Sequence, residues 1–178
     1  MDIRVFTKYR VVRPELNDKI VAEKTVNDGS NLIVTFKIPY EPGTLKAIAL
    51  NSGIETISKE LRTTGTPAKI RLTADRSNIK ADRNDLSYVK IEVIDSQGNL
   101  VPDASIPVKL TVSGAGEIAG SGNACPTDME SFNNKVCKTY RIKVLVIIRP
   151  KMVSKSGKIF LKAEANGLDV GEINIAVQ

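Results

Sequence analysis

The chain contains 178 residues, of which 42% are apolar and 26% charged, a composition that suits one large soluble domain or two small ones. Histidine is absent, which excludes His-based general bases, His-containing catalytic triads and His-ligated zinc. The formal net charge is +6, but the lysines and arginines are scattered along the chain, so no nucleic-acid binding is expected. The longest apolar stretch, Val144–Ile148, is too short for membrane insertion, and the first residues lack the apolar core of a signal peptide.

Short runs of alternating apolar and polar residues recur along the chain and predict half-buried β-strands. The clearest runs, in chain order, are Ile70–Leu72, Val89–Val93, Val108–Val112 and Ile173–Val177. Turn signals lie at Glu41–Gly43, Asp95–Asn99 and Asn166–Gly167. The segment Ile54–Leu61 is compatible with a helix, but turn signals on both sides of it favour a strand.

A small, polar stretch that ends in proline, Thr63–Pro67, interrupts the strand pattern and is typical of a linker. We therefore expect two domains, residues 1–64 and residues 65–178, each with its own strands. Many short strands with turns about eight to twelve residues apart are typical of β-sandwiches. The predicted fold is all-β, with two Ig-like sandwiches in tandem.

The run from Ser113 to Phe132 departs from this pattern, because it holds four glycines, Pro126 and many polar residues. Such a composition does not predict a continuous strand, and we expect a long excursion from the sandwich. Its first part, Gly114–Ala119, formally matches the G-x-G-x-x-A dinucleotide fingerprint. That fingerprint must open a helix, which the following Gly120, Gly122 and Pro126 prevent, so a turn and a short strand are the better interpretation.

Two cysteines, Cys125 and Cys137, lie in or beside this run. A single pair is too few for a structural zinc site. In an oxidising compartment the two could form a disulfide that closes a short loop, and the alternative is a pair of unrelated free thiols. The sequence leaves both open, because it does not show the separation of the two Cα atoms.

The same run carries the candidate contact residues. The acids Asp128 and Glu130 are interpreted as solvated turn residues rather than a glycosidase pair. Phe132 and Tyr140 flank the run and could offer an aromatic platform to a sugar, with Asn123 and the two acids as polar partners. The alternative is that Phe132 only pins the loop onto its own domain.

Other residues are explained by structure alone. Phe36 and Phe160 lie within strand patterns and are predicted to be core. The acidic clusters Asp82–Asp85 and Asp95–Asn99 lack the oxygen spacing of a calcium loop and are explained by turn chemistry. We expect no metal and no cofactor.

Several blocks of this sequence resemble the region that follows the catalytic barrel in glycoside hydrolase family 2. The resemblance is strongest to β-galactosidase-type enzymes of Bacteroides-like bacteria. The blocks are Tyr40–Ile48, Arg62–Ile70, Arg71–Asp82, Val93–Ala104 and the glycine-rich run through Phe132. The second domain is also similar to the Ig-like modules of invasin-type adhesins, through its Val93–Ala104 hairpin.

The resemblance implies a non-catalytic C-terminal accessory region. In that family two glutamates on a TIM barrel perform catalysis, and such a barrel needs about 200 residues or more. The implied partner is the catalytic barrel of a parent glycosidase or another subunit, and the implied location is periplasmic or secreted. Two alternatives stay open: a carbohydrate-binding module that contacts a polysaccharide, and an adhesin-like Ig stalk.

The chain departs from the family pattern at three turns. It has Asn17-Asp18, Arg83 and Ile142 where the family tends to have glycine within or beside a turn. Each change removes a residue that reaches positive φ easily, so we expect altered or strained turns there.

Overall fold

The computed structural model describes residues 1–26, 32–141, 143–152 and 156–178, and every regular element within these ranges is a β-strand. The chain divides into two units, Met1–Thr63 and Thr64–Gln178. Among the described residues, no helix has the length and apolar character that crossing a bilayer requires.

The described residues of the first unit form seven strands in two sheets. They are β1 (Asp2–Phe6), β2 (Val11–Leu16), β3 (Lys19–Ile20), β4 (Lys24–Thr25), β5 (Ile33–Lys37), β6 (Thr44–Asn51) and β7 (Ile54–Arg62). One sheet has the order β3-β2-β6-β7, with β4 also paired to β2, and β1 pairs with β5 in the other. Its core contains Val12, Leu16, Val34, Phe36 and Ile38, all buried.

Two hairpins of this unit show how local sequence sets the strands. Asn17 (φ 51°) and Asp18 (φ 63°) both adopt left-handed backbone and join β2 to β3, as a two-residue hairpin turn requires. Asp18 therefore adopts the left-handed backbone expected of the missing glycine, and the turn is kept with two non-glycine residues at positive φ, as the expected strain implies. Ser52 and Gly53 join β6 to β7 in the same way, which confirms a strand rather than a helix after Gly53.

Nine strands in two sheets are present in the part of the second unit that the structure describes. They are β8 (Lys69–Ala74), β9 (Asn78–Ile79), β10 (Ser87–Ile94), β11 (Pro107–Gly114), β12 (Gly116–Gly122), β13 (Val136–Lys138), β14 (Lys143–Pro150), β15 (Gly157–Glu164) and β16 (Gly171–Val177). Sheet I has the order β12-β14-β10-β8, and sheet II has the order β13-β11-β15-β16-β9. The pairings are antiparallel, apart from the parallel pairing of β9 with β16.

Alternate residues of both sheets meet in one core. Sheet I contributes Val89, Ile91, Val144, Val146 and Ile148, and sheet II contributes Val108, Leu110, Ile159, Leu161 and Ile175. All of these side chains are essentially inaccessible to solvent. The all-β sandwich class expected from the alternation is confirmed.

The glycine-rich run corrects one expectation. Ser113 and Gly114 end β11, and Gly116–Gly122 forms strand β12, so the excursion begins only at Asn123. Gly114 has φ +82°, and a Cβ there would overlap the carbonyl oxygen of Lys158; a Cβ on Gly116 would overlap the side chain of Ile159. The glycines permit a close approach of strands, which glycine within a strand often marks. The expected strain at Arg83 has no counterpart among the positive φ values of the described residues, and Ile142 lies outside those residues.

Candidate functional site

Residues 123–135 connect β12 to β13 and fold back along the edge of β12. The backbone N–H of Ser121 donates to the carbonyl oxygen of Phe132 at 2.7 Å. The Ser121 hydroxyl donates to the carbonyl oxygen of Asn134, also at 2.7 Å. Because β12 is the last strand of sheet I, these bonds satisfy part of an otherwise unpaired edge.

Asn123 is the centre of the polar network within this loop. Its Oδ1 accepts from the N–H of Cys125 at 2.8 Å, and its Nδ2 donates to Asp128 Oδ2 at 2.7 Å and to the carbonyl oxygen of Lys138 at 2.8 Å. Asp128 Oδ1 accepts from the N–H of Glu130 at 3.0 Å, and Glu130 Oε2 accepts from Asn134 Nδ2 at 3.2 Å. The three predicted polar residues therefore bond to their own loop, and Asn123 also bonds to the end of β13. The backbone contacts of Asn123 and Asp128 are ordinary Asx turns.

The two aromatic candidates occupy different surroundings. The Phe132 side chain is 72% exposed, and its ring edge lies against Gly122, only 3.0 Å from where a Cβ on that glycine would stand. Tyr140 is half-buried, bridges to Lys143, and has the Arg141 guanidinium 5.5 Å from its ring centroid. A small cavity of about 80 Å³ brings together Asn123, Asp128, Glu130 and Phe132, whereas Tyr140 is not among its described lining residues.

Both cysteines line that same cavity and are free thiols in the structure, so the disulfide that the sequence left open is not formed there. Cys125 Sγ lies 3.4 Å from the hydroxyl of Thr127, and this hydrogen bond lowers the pKa of the thiol. Cys137 is buried, and its thiol donates to the Ser121 hydroxyl at 3.0 Å. Each sulfur thus has its own hydroxyl partner.

A larger groove of about 450 Å³ lies beside the loop on the outer face of sheet I. Phe132, Gly120, Gly122, Leu145 and Ile147 form its apolar part, and Lys90 and Lys143 stand in its lining. This surface was not among the sites predicted from the sequence, where Val144–Ile148 was weighed against a membrane span. The available signal was that five consecutive apolar residues leave both faces of a strand apolar, whereas a half-solvated strand alternates.

Two ion-pair clusters lie on the same sheet. In the first, Glu92 binds Arg71 (Nη2 to Oε2, 3.0 Å) and Lys90 (Nζ to Oε1, 3.1 Å). Burial opposes ionisation of Glu92, but the hydrogen bonds from Lys90 and Arg71 outweigh it and lower the pKa of this carboxyl. In the second, Glu117 Oε1 accepts from Arg149 Nε at 2.8 Å and from Arg83 Nη2 at 3.2 Å.

The acidic clusters considered for calcium close turns instead. Asp82 Oδ1 accepts from the N–H of Asn84 at 2.9 Å, and Asp85 Oδ2 accepts from the N–H of Lys80 at 2.7 Å. Asp95 Oδ1 accepts from the N–H groups of Gln97 and Asn99 at 2.9 and 2.8 Å. Across the part of the chain that the structure describes, Cys, Asp and Glu side chains do not gather in a group of three or more that could hold a metal.

Comparison with known families covers most of the chain. Residues 70–174 match the family described as glycoside hydrolase family 2 C-terminal domain 5. Residues 1–57 match a family described only as a domain of unknown function, DUF4982.

Comparison with individual proteins points the same way. The chain is 44% identical over 151 residues to the β-galactosidase BoGH2A of Bacteroides ovatus, covering 85% of the chain and 18% of that protein. It is 30% identical over 189 aligned positions to a β-galactosidase of Thermoanaerobacter pseudethanolicus, covering 98% of the chain and 23% of that protein. A crystal structure of a glycosyl hydrolase family 2 member from Bacteroides cellulosilyticus superposes with a TM-score of 0.95 at 33% identity. The superposition covers 99% of the present chain and 23% of the chain in that crystal structure. The chain thus spans about a fifth of each of these proteins.

Proposed function

Because the chain belongs to the glycoside hydrolase family 2 C-terminal domain 5 family, we propose that it is a non-catalytic accessory region of a β-galactosidase-type glycosidase. Its role is structural: it stabilises the enzyme by packing against the catalytic barrel or a partner subunit. The observation that carries this proposal is the match of residues 70–174 to a C-terminal domain family, in a chain that spans 18% and 23% of the length of two β-galactosidase relatives.

The surroundings of the acidic side chains support a structural role. A glycosidase needs two carboxyl groups facing a cleft, about 5–10 Å apart, with one free to transfer a proton. Here Asp128 and Glu130 bond to their own loop, Glu92 is held by two cations, and Asp95 closes a turn. These four carboxylates therefore stabilise local structure through hydrogen bonds and ion pairs.

The proposal is tested by comparing three proteins: the 178-residue chain, the full-length parent, and the parent without this region. We expect the chain alone not to hydrolyse an aryl-β-galactoside. We also expect the shortened parent to unfold at a lower temperature or to lose its subunit assembly. Hydrolysis that grows with the concentration of the isolated chain and disappears in its Glu130→Gln variant would contradict the proposal.

Sugar binding is a second candidate function, favoured by the exposed Phe132 ring beside a groove. Exposed aromatic rings commonly stack on the apolar face of a pyranose. Affinity electrophoresis of the chain against a panel of polysaccharides tests this function, with Phe132→Ala as the variant that should lose any retardation. A panel without retardation would eliminate it.

We further propose that the parent enzyme is periplasmic or secreted, as the resemblance to such glycosidases implies. Fractionation of the source cells, followed by detection of the parent with an antibody against this chain, tests the location. Recovery of the parent only with cytoplasmic markers would contradict it.

A further inference from the structure

The two outer faces of the second sandwich differ in character. The outer face of sheet II carries mainly exposed polar residues, namely Lys109, Thr111, Lys158, Glu172 and Asn174. Such a face is typical of an antiparallel sheet with one side in water. Both sheets bury their inner faces in the same core, but the outer face of sheet I is not mainly polar. The packing of the core therefore does not account for the character of that outer face.

The centre of the outer face of sheet I is apolar. Leu145 is 45% exposed and pairs with Gly122, while the half-buried Ile147 lies between Gly120 and the partly exposed Tyr88. Because Gly120 and Gly122 have no side chains, the surface is recessed at this point, and the Phe132 ring lies over Gly122. The result is an apolar groove on this outer face, and an exposed apolar surface of this kind is a candidate interaction site.

Cationic side chains surround this apolar centre. The clusters around Glu92 and Glu117 each hold two cations against one carboxylate, and Lys143 has no ion-pair partner among the residues that the structure describes. An apolar centre within a polar rim is the usual anatomy of a protein interface. The excess of cations favours a partner that brings carboxylates to the rim.

We propose that this groove is the surface through which the accessory region docks on the catalytic portion of the same polypeptide. The docked segment inserts an apolar side chain beside Phe132 and Leu145 and presents Asp or Glu to Lys143. This inference rests on the proposed function and names the surface that performs it. Most of each β-galactosidase relative lies outside the matched region, so chain of the required length is available.

Two other occupants fit less well. A second copy of this chain would place two cationic rims face to face across a two-fold axis, and like charges there would repel. A saccharide needs several hydrogen-bonding partners, but the groove is lined mainly by apolar side chains and glycines, and both side-chain groups of Asn123 are engaged within the loop. An apolar peptide segment with acidic flanks matches the lining better.

Hydroxyl-radical footprinting of the full-length parent and of the 178-residue chain tests the proposal. We expect Phe132, Leu145 and Tyr88 to be modified several-fold more slowly in the parent than in the isolated chain. Phe160 is the internal control, because it is 46% exposed on the opposite outer face, nearly the same as Leu145, and should react equally in both. Equal modification of Phe132 and Leu145 in the two proteins would overturn the proposal.

Charge variants of the parent provide the second measurement. Leu145→Glu should remove the protection of Phe132, and Leu145→Lys should remove less of it, because a cation complements an acidic partner. Phe160→Glu is the matched control and should leave the protection intact. Since Leu145 is exposed, the isolated chain should tolerate both substitutions without a change in thermal midpoint, which separates lost docking from lost folding.

The outcomes distinguish this inference from the function on which it rests. If deletion of the region destabilises the parent but the groove variants behave like Phe160→Glu, the accessory role stands and the groove proposal fails. If deletion has no effect, the accessory role itself fails. Protection that depends on added polysaccharide would assign the groove to a sugar, and protection that depends on protein concentration would assign it to a second copy; either result overturns the proposal.

Discussion

The carboxylate of Asp95 accepts a hydrogen bond of 2.9 Å from the backbone N–H of Gly65. Asp95 follows β10, is buried, and closes its own turn through Gln97 and Asn99. Gly65 lies within the stretch that the sequence marked as a linker. A single carboxylate therefore ties the start of the second unit to the turn that follows β10.

This carboxylate predicts a pH dependence of stability. The N–H of Gly65 is the largest influence, followed by burial, which opposes ionisation, and by the bonds from Asn99 and Gln97; together they lower the pKa of Asp95 from 3.8 to about 2. A folded-state pKa below the unfolded value stabilises the protein above pH 4, and this contribution is lost as the pH falls toward 2. As the pH is lowered from 6 to 2, the thermal midpoint of Asp95→Asn should fall less steeply than that of the wild type.

The control for this measurement is Asp103→Asn, at an exposed position. It should preserve the wild-type slope. Identical slopes in the wild type and Asp95→Asn would show that this carboxylate does not contribute to acid sensitivity.

Gly114 and Gly167 provide a test of close strand packing. Both have left-handed backbone, with φ of +82° and +76°, but a Cβ on Gly114 would overlap the Lys158 carbonyl while Gly167 faces open space. Alanine at either position costs about 1–2 kcal/mol for the backbone conformation. Gly114→Ala should cost about 1–3 kcal/mol more, because β15 must move away. Urea unfolding of the two variants checks the difference, and equal losses would contradict this packing.

The register of β14 can be tested with neighbouring residues. Ile148 is fully buried in the core, whereas Leu145 points outward and is 45% exposed. Ile148→Ala should reduce the free energy of unfolding by about 2–5 kcal/mol because it leaves a cavity. Leu145→Ala in the isolated chain should change it by less than about 1 kcal/mol. A shift of one residue along the strand would reverse this order, so the pair also tests the register.

Asn123 holds the loop between β12 and β13 closed, and the buried Cys137 reports on it. In a Cys125→Ser background, Asn123→Ala should increase the rate at which a thiol reagent labels Cys137 several-fold, because the loop no longer covers that thiol. Asn133→Ala is the matched control, since only its backbone N–H bonds within the loop. An unchanged labelling rate in Asn123→Ala would show that its hydrogen bonds do not hold the loop.

The prediction that Phe160 is a core residue, which rested on its apolar side chain, was wrong. Phe160 is 46% exposed, while its neighbours Ile159 and Leu161 are buried. The alternation of the strand points Phe160 outward, where its ring lies 3.3 Å from the position of a Cβ on Gly114. The contact between Phe160 and Gly114 depends on the pairing of β15 with β11, two strands distant in sequence, which a local pattern does not contain. Phe132 covers Gly122 from the loop that follows β12.

The all-β class, the strands with clear alternation and the family follow from neighbouring residues or long local motifs, and all three can be predicted without coordinates. Three features cannot: that Gly116–Gly122 is a strand, that Asn123, Asp128 and Glu130 bond to their own loop, and that Leu145 and Ile147 line an apolar groove. The physical reasons differ. The close approach of β15 and the apolar groove arise from residues that are distant in sequence and meet only across paired strands. The closure of the loop on β12 depends on the path of an irregular segment, which has no periodic pattern to predict it.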